Sequence, residues 1–425
     1  MQASRKIGKT NTTMNADLNL KIKDFLTIHR AAQFGFLTGL VSHPTDRSDR
    51  DQSEFLDFLV LNLSAFGFQI DFHVVPDELC RNQGRASVTN IVARRSFGPG
   101  PTVALAANVD TLLAGEGWLR DPFSAVIENG RMFGRGVVSS KGALAAYAFA
   151  AQALSEFEDR LRGSVELHIT WDGEADGDLG AGWLLKENHV SPDFVICPGT
   201  TYSVISSANG LLQMEAEIKG RSAPASRPED GRDAIEAATR VMSAIYDLRN
   251  GYSKIKSEIP GIHSPAVLVS KIEGGENGRS VSEKCRLTIT RSLTPEEDIG
   301  AVENEITNVI GVEVTRVPGV LCKIRRTGLS RPLVAGDPAQ GLIAEFKSQS
   351  STLFGEPLPE VGTPNGSMAR HYAAAGIPTL LYGVGPANPA EAQVGAANEV
   401  LDLDDLRKST ELLSCTLAAL LSADA

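Results

Sequence analysis

The chain has 425 residues, of which 42% are hydrophobic and 22% are charged, and its formal net charge is −11. That length is more than one ordinary hydrophobic core accommodates, so a folded globular protein with two domains is expected. The acidic balance argues against nucleic acid and against an anionic membrane surface as the main partner.

The N-terminal residues 1–16 carry charge but lack the apolar stretch of a secretory signal, so we expect a disordered leader there. No apolar run in the chain reaches the ~18 residues that a membrane span needs. The five cysteines are scattered and form no CxxC pair, which is typical of neither a disulfide framework nor a thiolate zinc site. These features predict a cytoplasmic protein in a reducing compartment.

Helices and short apolar runs alternate through the first half of the chain. Residues 17–40 read as one helix, and a second is expected to run from a cap at Ser48 or Ser53 to Gly67. A long alanine-rich helix is predicted over 142–161. The apolar runs are FQIDFHVV, TVALAA, VELHITW, DFVICP and, late in the chain, PTLLYG. Strands interleaved with helices indicate an α/β sheet with buried strands.

The middle of the chain has a different pattern. The segments LLQMEAEIKG and CRLTITRSL alternate apolar and polar residues, as half-buried antiparallel strands do. Helical stretches near 232–249 and after residue 295 complete a β-α-β-β-α-β order, which predicts an inserted α+β domain over 211–326. The first domain then consists of two parts, 17–210 and 327–425.

Five sequence blocks, in order along the chain, carry a resemblance to a known family. They are GWLRDPFSAVIENGRMFGRG (117–136), KGRSAPASRPEDGRDAIEAA (219–238), SEKCRLTITR (282–291), NGSMARHYAAAGIPTLLYGVG (365–385) and AANEVLDLDDL (396–406). These blocks resemble the M20 metallopeptidases, which include acetylornithine deacetylase and succinyl-diaminopimelate desuccinylase. The resemblance implies an α/β fold: a mixed-sheet, zinc-exopeptidase-like catalytic domain with an inserted α+β, ferredoxin-like lid or dimerisation domain.

The chemistry that this resemblance implies uses two divalent metals, usually zinc, bridged by a carboxylate. A metal-activated water attacks an amide carbonyl while a glutamate acts as general base. Here Asn108 stands where the family has its first ligand histidine, and Asp110 matches the aspartate that orients this histidine. Ser139 stands at the bridging aspartate, and a neutral hydroxyl cannot hold two dications together.

The remaining catalytic positions of the family are also altered. In the block WDGEADG, Gly173 stands at the general base and Glu174 keeps a ligand position. Cys197 replaces an acidic ligand, and Gly395 replaces the last ligand histidine. Pro224 stands where the family's lid contributes a histidine across its dimer. The pocket scaffold is therefore present without the dizinc chemistry, and no metal or cofactor is expected.

Several alternatives stay open at this point. A single metal ion held weakly by Asn108, Glu174 and Cys197 is one of them. A Cys197–His371 pair acting as nucleophile and base is another, against the simpler interpretation of Cys197 as a small buried hydrophobe. Lys141 is either a catalytic amine or structural, and the structural role is preferred.

Three arginines are candidates for binding a carboxylate, because guanidinium groups bind carboxylates through two hydrogen bonds. Arg291 and Arg370 match positions near the family's substrate-carboxylate region, and Arg279 stands where the family usually has asparagine. Surface or interface salt bridges are the alternative explanation for all three.

Three functional hypotheses follow. The first is a metal-free M20-like pseudoenzyme that binds a small, amino-acid-like carboxylate or regulates a paralogue, as a homodimer through the lid or paired with that paralogue. The second is an enzyme of altered mechanism that acts on an amide, imine or cyclised substrate and uses Asp110 and Glu174 with Cys197, Lys141 or His371. The third is an ordinary hydrolase with unusual ligands, a deacylase or peptidase acting on N-acyl amino acids or small peptides. The predicted ligand-binding residues are Asn108, Asp110, Ser139, Glu174, Cys197, Arg291 and Arg370.

Overall fold

The computed structural model describes most of the chain, namely residues 12–46, 51–138, 140–173, 177–275 and 278–423. Two predicted site residues, Ser139 and Glu174, lie outside the described residues, as do the candidate cap Ser48 and most of the predicted leader.

Contacts between residues divide the chain into two units. Unit 1 is Met1–Ser206, Ala335–Glu360 and Ser367–Ala425, and unit 2 is Ser207–Val334 and Val361–Gly366. Unit 2 thus includes a short second segment that the predicted insertion over 211–326 leaves out. Each unit has its own cluster of buried apolar side chains.

The strands are numbered in chain order. They are β1 (Gln69–Val74), β2 (Thr89–Ser96), β3 (Thr102–Asn108), β4 (Val126–Glu128), β5 (Arg131–Phe133), β6 (Ser164–Thr170), β7 (Phe194–Cys197), β8 (Val204–Ala208), β9 (Gly210–Lys219), β10 (Ala266–Gly274), β11 (Lys284–Leu293), β12 (Leu321–Ser330), β13 (Leu333–Val334), β14 (Glu360–Thr363), β15 (Thr379–Leu381) and β16 (Val400–Asp402). All five apolar runs singled out in the sequence are strands of unit 1.

The main sheet of unit 1 is mixed. Its strand order includes β1-β2-β6-β3-β7-β15-β8. The four consecutive strands β6, β3, β7 and β15 are parallel to one another. The pairs β1–β2, β2–β6 and β15–β8 are antiparallel. A separate small sheet of order β16-β5-β4 is antiparallel. The carboxyl ends of the four parallel strands meet at one edge, which is where α/β folds place their sites.

The helices are also numbered in chain order. They are α1 (Thr12–Ile28), α2 (Arg30–Ser42), α3 (Ser53–Ala65), α4 (Asp77–Asn82), α5 (Ser140–Ala153), α6 (Trp183–Lys186), α7 (Ala234–Tyr252), α8 (Ile299–Thr315), α9 (Gln340–Phe354), α10 (Ala369–Ala374) and α11 (Leu403–Leu420). Within the described residues, no helix has both the length and the apolar character to cross a bilayer.

Two predicted helices differ from the structure. The helix predicted over 17–40 is divided at His29, whose ψ of 8° leaves the helical path and whose ring bonds the Phe25 carbonyl at 2.8 Å. The helix predicted over 142–161 is α5 followed by a 3₁₀ turn, in which Phe157 has a non-helical φ of −156°. Both breaks depend on local side-chain and backbone geometry that hydrophobic periodicity does not encode.

Helix α5 lies in the middle of unit 1, where it contacts α2, α11 and β3. Every side chain of α5 except that of Gln152 is buried. A Cβ atom at Gly142 would lie 2.1 Å from the Val137 carbonyl oxygen, so this position requires glycine. Small residues on α5 therefore allow the helix to pack closely against its neighbours.

Unit 2 has the element order β9-α7-β10-β11-α8-β12, which matches the β-α-β-β-α-β order predicted from the sequence. Its four strands form an antiparallel sheet of order β10-β11-β9-β12. The helices α7 and α8 contact each other, and buried residues from both contribute to the apolar cluster of this unit.

Candidate functional site

The candidate site is built on the carboxyl ends of the parallel strands in unit 1. Asn108 is the last residue of β3 and Cys197 is the last residue of β7. Asp110 follows β3, and Gly173 follows β6. Because these strands are parallel neighbours, the structure brings the four residues to one edge of the sheet.

Asp110 is the centre of a hydrogen-bond network at this edge and is only 5% exposed. Its Oδ1 atom accepts from the Gly173 backbone N–H at 2.9 Å and from Asn108 Nδ2 at 3.2 Å. Its Oδ2 atom lies 3.3 Å from Nη2 of Arg85. In the family pattern this aspartate orients a ligand histidine, whereas here it holds an amide, a backbone N–H and a guanidinium.

Asn108 occupies the space next to the position of the family's general base. A Cβ atom built on Gly173 would lie 2.2 Å from Cγ and 2.3 Å from Cβ of Asn108. Real Cβ atoms essentially never approach other heavy atoms so closely. The local packing therefore leaves no room for a side chain at residue 173.

Arg85 is a site residue that sequence reasoning missed. It lies between α4 and β2, outside all five blocks that resemble the family. Besides contacting Asp110, it donates from Nη1 to the Trp171 carbonyl oxygen at 2.6 Å. No local sequence signal marks this arginine, because both of its partners are distant in the chain.

Asp172 is a second buried carboxyl group at the same edge, with no measurable exposure. Its Oδ2 atom accepts from the backbone N–H of Leu179. Burial, reinforced by the nearby charge of Asp110, raises the pKa of the Asp172 carboxyl to about 7, against the opposing effect of its backbone hydrogen bonds. The folded chain thus binds this proton more tightly than an unfolded chain does.

We expect Asp172→Asn to stabilise the protein above neutral pH. The stability that the raised pKa contributes is present below the ordinary pKa of 3.8 and is lost as the pH rises through about 7. Asparagine keeps an acceptor for Leu179 and carries no charge, so the gain in unfolding free energy at pH 8 should be about 2 kcal/mol. Urea unfolding at pH 4.5 and pH 8 measures the difference, which should shrink at the lower pH.

The control for this prediction is Asp57→Asn, at an exposed position of α3. Its effect on stability should be small at both pH values. An Asp172→Asn effect that is the same at pH 4.5 and pH 8 would contradict the assignment of this carboxyl group.

Cys197 is completely buried at the end of β7. Burial raises the pKa of its thiol, which disfavours the thiolate that a metal ligand or nucleophile needs. Its surroundings include the buried hydroxyl groups of Tyr147 and Tyr372, whose pKa values are raised by burial and by Cys197. These observations favour the interpretation of Cys197 as a small buried side chain.

The short helix α10 carries the predicted carboxylate-binding residue Arg370. Its Nη2 atom lies 3.0 Å from Oδ1 of Asp178, and Nε2 of His371 lies 3.3 Å from the same oxygen. The ring of His371 also lies beside Gly182, where a Cβ atom would approach it to 2.8 Å. His371 is thus paired with an aspartate, which does not support its hypothetical pairing with Cys197.

Two further buried residues have structural partners. His168 is fully buried and bonds Glu166 Oε2 at 2.8 Å and the Tyr372 hydroxyl at 2.9 Å, so it is a satisfied core histidine. Lys141 is fully buried, donates to the His43 carbonyl oxygen at 2.8 Å and lies over the Phe55 ring.

Arg291 belongs to unit 2, whereas the other described ligand-binding candidates belong to unit 1. Its guanidinium is 1% exposed, lies 4.2 Å from the centre of the Tyr252 ring and forms an ion pair with Glu297. Glu297 also accepts from the Thr294 backbone N–H at 2.8 Å. This contact lies in the turn before α8, whose N-cap is Asp298, so no helix-capping pattern in the sequence marks the Arg291–Glu297 pair.

The turn before α5 is held by a buried ion pair. Arg135 Nη1 lies 3.0 Å from Glu399 Oε2, and both side chains are 2% exposed. The guanidinium also lies 5.1 Å from the centre of the Trp118 ring, and it donates to the Leu113 and Ala114 carbonyl oxygens. These residues belong to the retained scaffold of the family blocks.

The donors at the strand ends do not fit a pair of divalent metals. Among the described residues, no group of three or more His, Cys, Asp or Glu side chains is arranged to hold a metal ion. Asn108 is a weak ligand, Cys197 is held as a thiol, and Asp110 is already paired with a guanidinium. Gly395, at the last ligand position, has a φ of 76° and offers no side chain.

Comparisons with known proteins connect this chain to a peptidase family. The sequence model of peptidase family M20/M25/M40 matches residues 104–419. An acetylornithine deacetylase of Proteus mirabilis is 24% identical over 403 residues, which cover 93% of this chain and 96% of the relative. A succinyl-diaminopimelate desuccinylase of Acidiphilium cryptum is 25% identical over 340 residues, 76% of this chain and 84% of the relative.

A solved structure supports the same fold. The di-peptidase Dug1p of Saccharomyces cerevisiae superposes with a TM-score of 0.75 and 15% identity, over 95% of this chain and 98% of the other. At this identity the likeness concerns the fold alone.

Proposed function

Because this chain belongs to peptidase family M20/M25/M40, we propose that it keeps the family's fold and ligand pocket but not its dizinc amidohydrolase chemistry. On this proposal the protein is a pseudoenzyme that binds a small, amino-acid-like carboxylate. The observation that carries the proposal is the packing of Asn108 against Gly173, which fills the general-base position. A hydrolase needs a base within hydrogen-bond reach of its nucleophile.

The charges at the strand ends support the same proposal. A bound metal supplies the family with a Lewis acid and an activated water. In this chain the Asp110 carboxylate is balanced by Arg85 instead, and the Asp172 carboxyl group has a pKa near 7. A residue of the chain itself, and not a metal, therefore balances the charge of Asp110 in this proposal.

Arg370 is the described residue best suited to hold the ligand's carboxylate. Its partner Asp178 is 52% exposed, so a ligand carboxylate can take the place of this aspartate on the guanidinium. Asn108 and Asp110 would then contact the polar end of the ligand. Ser139 and Glu174 remain proposed contacts on sequence grounds alone.

The assembly and compartment are also proposals. A homodimer through unit 2, or pairing with a paralogue, is expected from the family resemblance. A reducing, cytoplasmic compartment agrees with the five free cysteines, of which Cys80, Cys197, Cys285 and Cys415 are buried and Cys322 is partly exposed.

Metal content measured by inductively coupled plasma mass spectrometry tests the proposed function. After expression with zinc and manganese and gel filtration, we expect less than about 0.2 metal equivalents per chain, against about two for a dizinc hydrolase. An active acetylornithine deacetylase prepared in parallel is the control. Two retained equivalents, or metal-dependent hydrolysis of N-acyl amino acids or dipeptides, would contradict the proposal.

Ligand binding is tested separately by melting temperature. N-acetylornithine and N-succinyl-diaminopimelate are the first probes, and either should raise the melting temperature if it occupies the pocket. Arg370→Gln should abolish that shift, whereas Arg407→Gln, at a surface ion pair on α11, should leave it unchanged. Turnover of a probe that depends on Glu174 would favour the alternative of an altered amidohydrolase.

A further inference from the structure

Asp110 is a carboxylate in a place where a negative charge is costly. It is only 5% exposed, and a buried carboxylate without a counter-charge is strongly destabilising. In a metalloenzyme of this family, the cation at these strand ends would be the metal. The described residues of this chain do not fit that metal, so the charge of Asp110 must be balanced in another way.

Arg85 has the position and the contacts to balance that charge. Nη2 lies 3.3 Å from Asp110 Oδ2, and Nη1 donates to the Trp171 carbonyl oxygen at 2.6 Å. Asp110 follows β3 and Trp171 follows β6, and these strands are adjacent and parallel. The guanidinium therefore joins the carboxyl ends of two core strands, with only 16% of its side chain exposed.

The other oxygen of Asp110 completes the arrangement. Oδ1 accepts from Gly173 N and from Asn108 Nδ2, so backbone and side-chain donors from both strands converge on one carboxylate. A divalent ion entering here would meet a fixed positive charge at close range, in surroundings that screen charge poorly.

We propose that Arg85 is the built-in cation of this site and replaces a metal ion as the counter-charge of Asp110. Arg85 is a positioning residue: it holds Asp110, and through it Asn108 and the segment after β6, without contacting the ligand. This inference rests on the proposed function, because it explains how the strand ends keep their arrangement without metal.

The test uses melting temperatures of the full chain after EDTA treatment, with and without zinc chloride. We expect Arg85→Met to lower the melting temperature by about 5 °C. Zinc should restore at least about half of that loss, because a cation that binds the vacated position stabilises the folded state. Zinc should not change the wild-type value, and Arg85→Lys should resemble the wild type.

A second substitution separates this role from ordinary packing. In Arg85→Met/Asp110→Asn the buried charge is gone, so the melting temperature should recover in part and should no longer respond to zinc. Arg85→Gln, alone and with Asp110→Asn, is measured alongside, so that the conclusion does not depend on one variant folding.

The outcomes distinguish the two proposals. If zinc changes the melting temperature of neither the wild type nor the Arg85 variants, the proposed role of Arg85 is wrong, but the proposed function stands. The proposed role of Arg85 is also overturned if zinc raises the melting temperature of Arg85→Met and of Arg85→Met/Asp110→Asn by the same amount. If zinc stabilises the wild type as much as the variants and is retained on gel filtration, the proposed function fails as well.

Discussion

Gly173→Glu, which restores the family's general-base residue, is expected to destabilise the protein by about 3 kcal/mol and to create no hydrolase activity. The new Cβ would lie within 2.2–2.3 Å of Cγ and Cβ of Asn108. Since the Cβ of Asn108 is among the clashing atoms, a rotation of its side chain cannot relieve the overlap, and the backbone must move. The backbone N–H of Gly173 would then lose its bond to Asp110.

Two variants make this prediction specific. Asn108→Gly combined with Gly173→Glu removes the clashing atoms and should recover most of the lost stability in urea unfolding. Gly35→Glu places the same side chain at an exposed glycine of α2, where a Cβ atom meets nothing within 4 Å, and should not destabilise the protein, since glutamate favours a helix more than glycine does. A Gly173→Glu protein as stable as the wild type would contradict the close packing of Gly173 against Asn108.

Arg135→Met is expected to cost about 4 kcal/mol of unfolding free energy, because it leaves the Glu399 carboxylate buried without its partner. The substitution also removes the guanidinium group that donates hydrogen bonds to the carbonyl oxygens of Leu113 and Ala114. Glu399→Gln should cost less, since the amide still accepts a hydrogen bond from Arg135. The combined substitution should cost less than the sum of the two.

A matched surface pair provides the comparison. Arg120 and Glu128 form an ion pair in the same region of the chain, but both side chains are substantially exposed. Arg120→Met should therefore cost far less than Arg135→Met in the same urea measurement. If Arg120→Met and Arg135→Met lower the unfolding free energy equally, burial of the Arg135–Glu399 pair does not contribute to the stability of this turn.

The sequence was a good guide to the strands and a poorer one to the site. Apolar runs such as TVALAA predict buried strands because a strand covered on both faces consists mainly of apolar residues. The structure confirms this strand as β3. The order of elements in unit 2 follows for the same reason. Helix ends were less predictable, as the break at His29 shows, because they depend on single backbone torsions.

The site depends on contacts between residues that are distant in the chain. Asn108 and Gly173 were both identified as substitutions, but their mutual packing could not be predicted, since it depends on how closely β3 and β6 approach at their ends. Arg85 was missed because it lies outside every family block. Arg291 matches a carboxylate-binding position in the sequence, and its guanidinium forms an ion pair with Glu297, six positions along the chain.

The burial of the cysteines provides a direct way to follow unfolding of the whole chain. In the native state a thiol reagent has access mainly to Cys322 on β12, and slowly, because burial raises the pKa of this thiol to about 11. The other four thiols become reactive only when their surroundings open. Cys80, Cys197 and Cys415 lie in unit 1 and Cys285 lies in unit 2, so their separate labelling rates, resolved by peptide mass, would report the opening free energy of each unit from one sample and without denaturant.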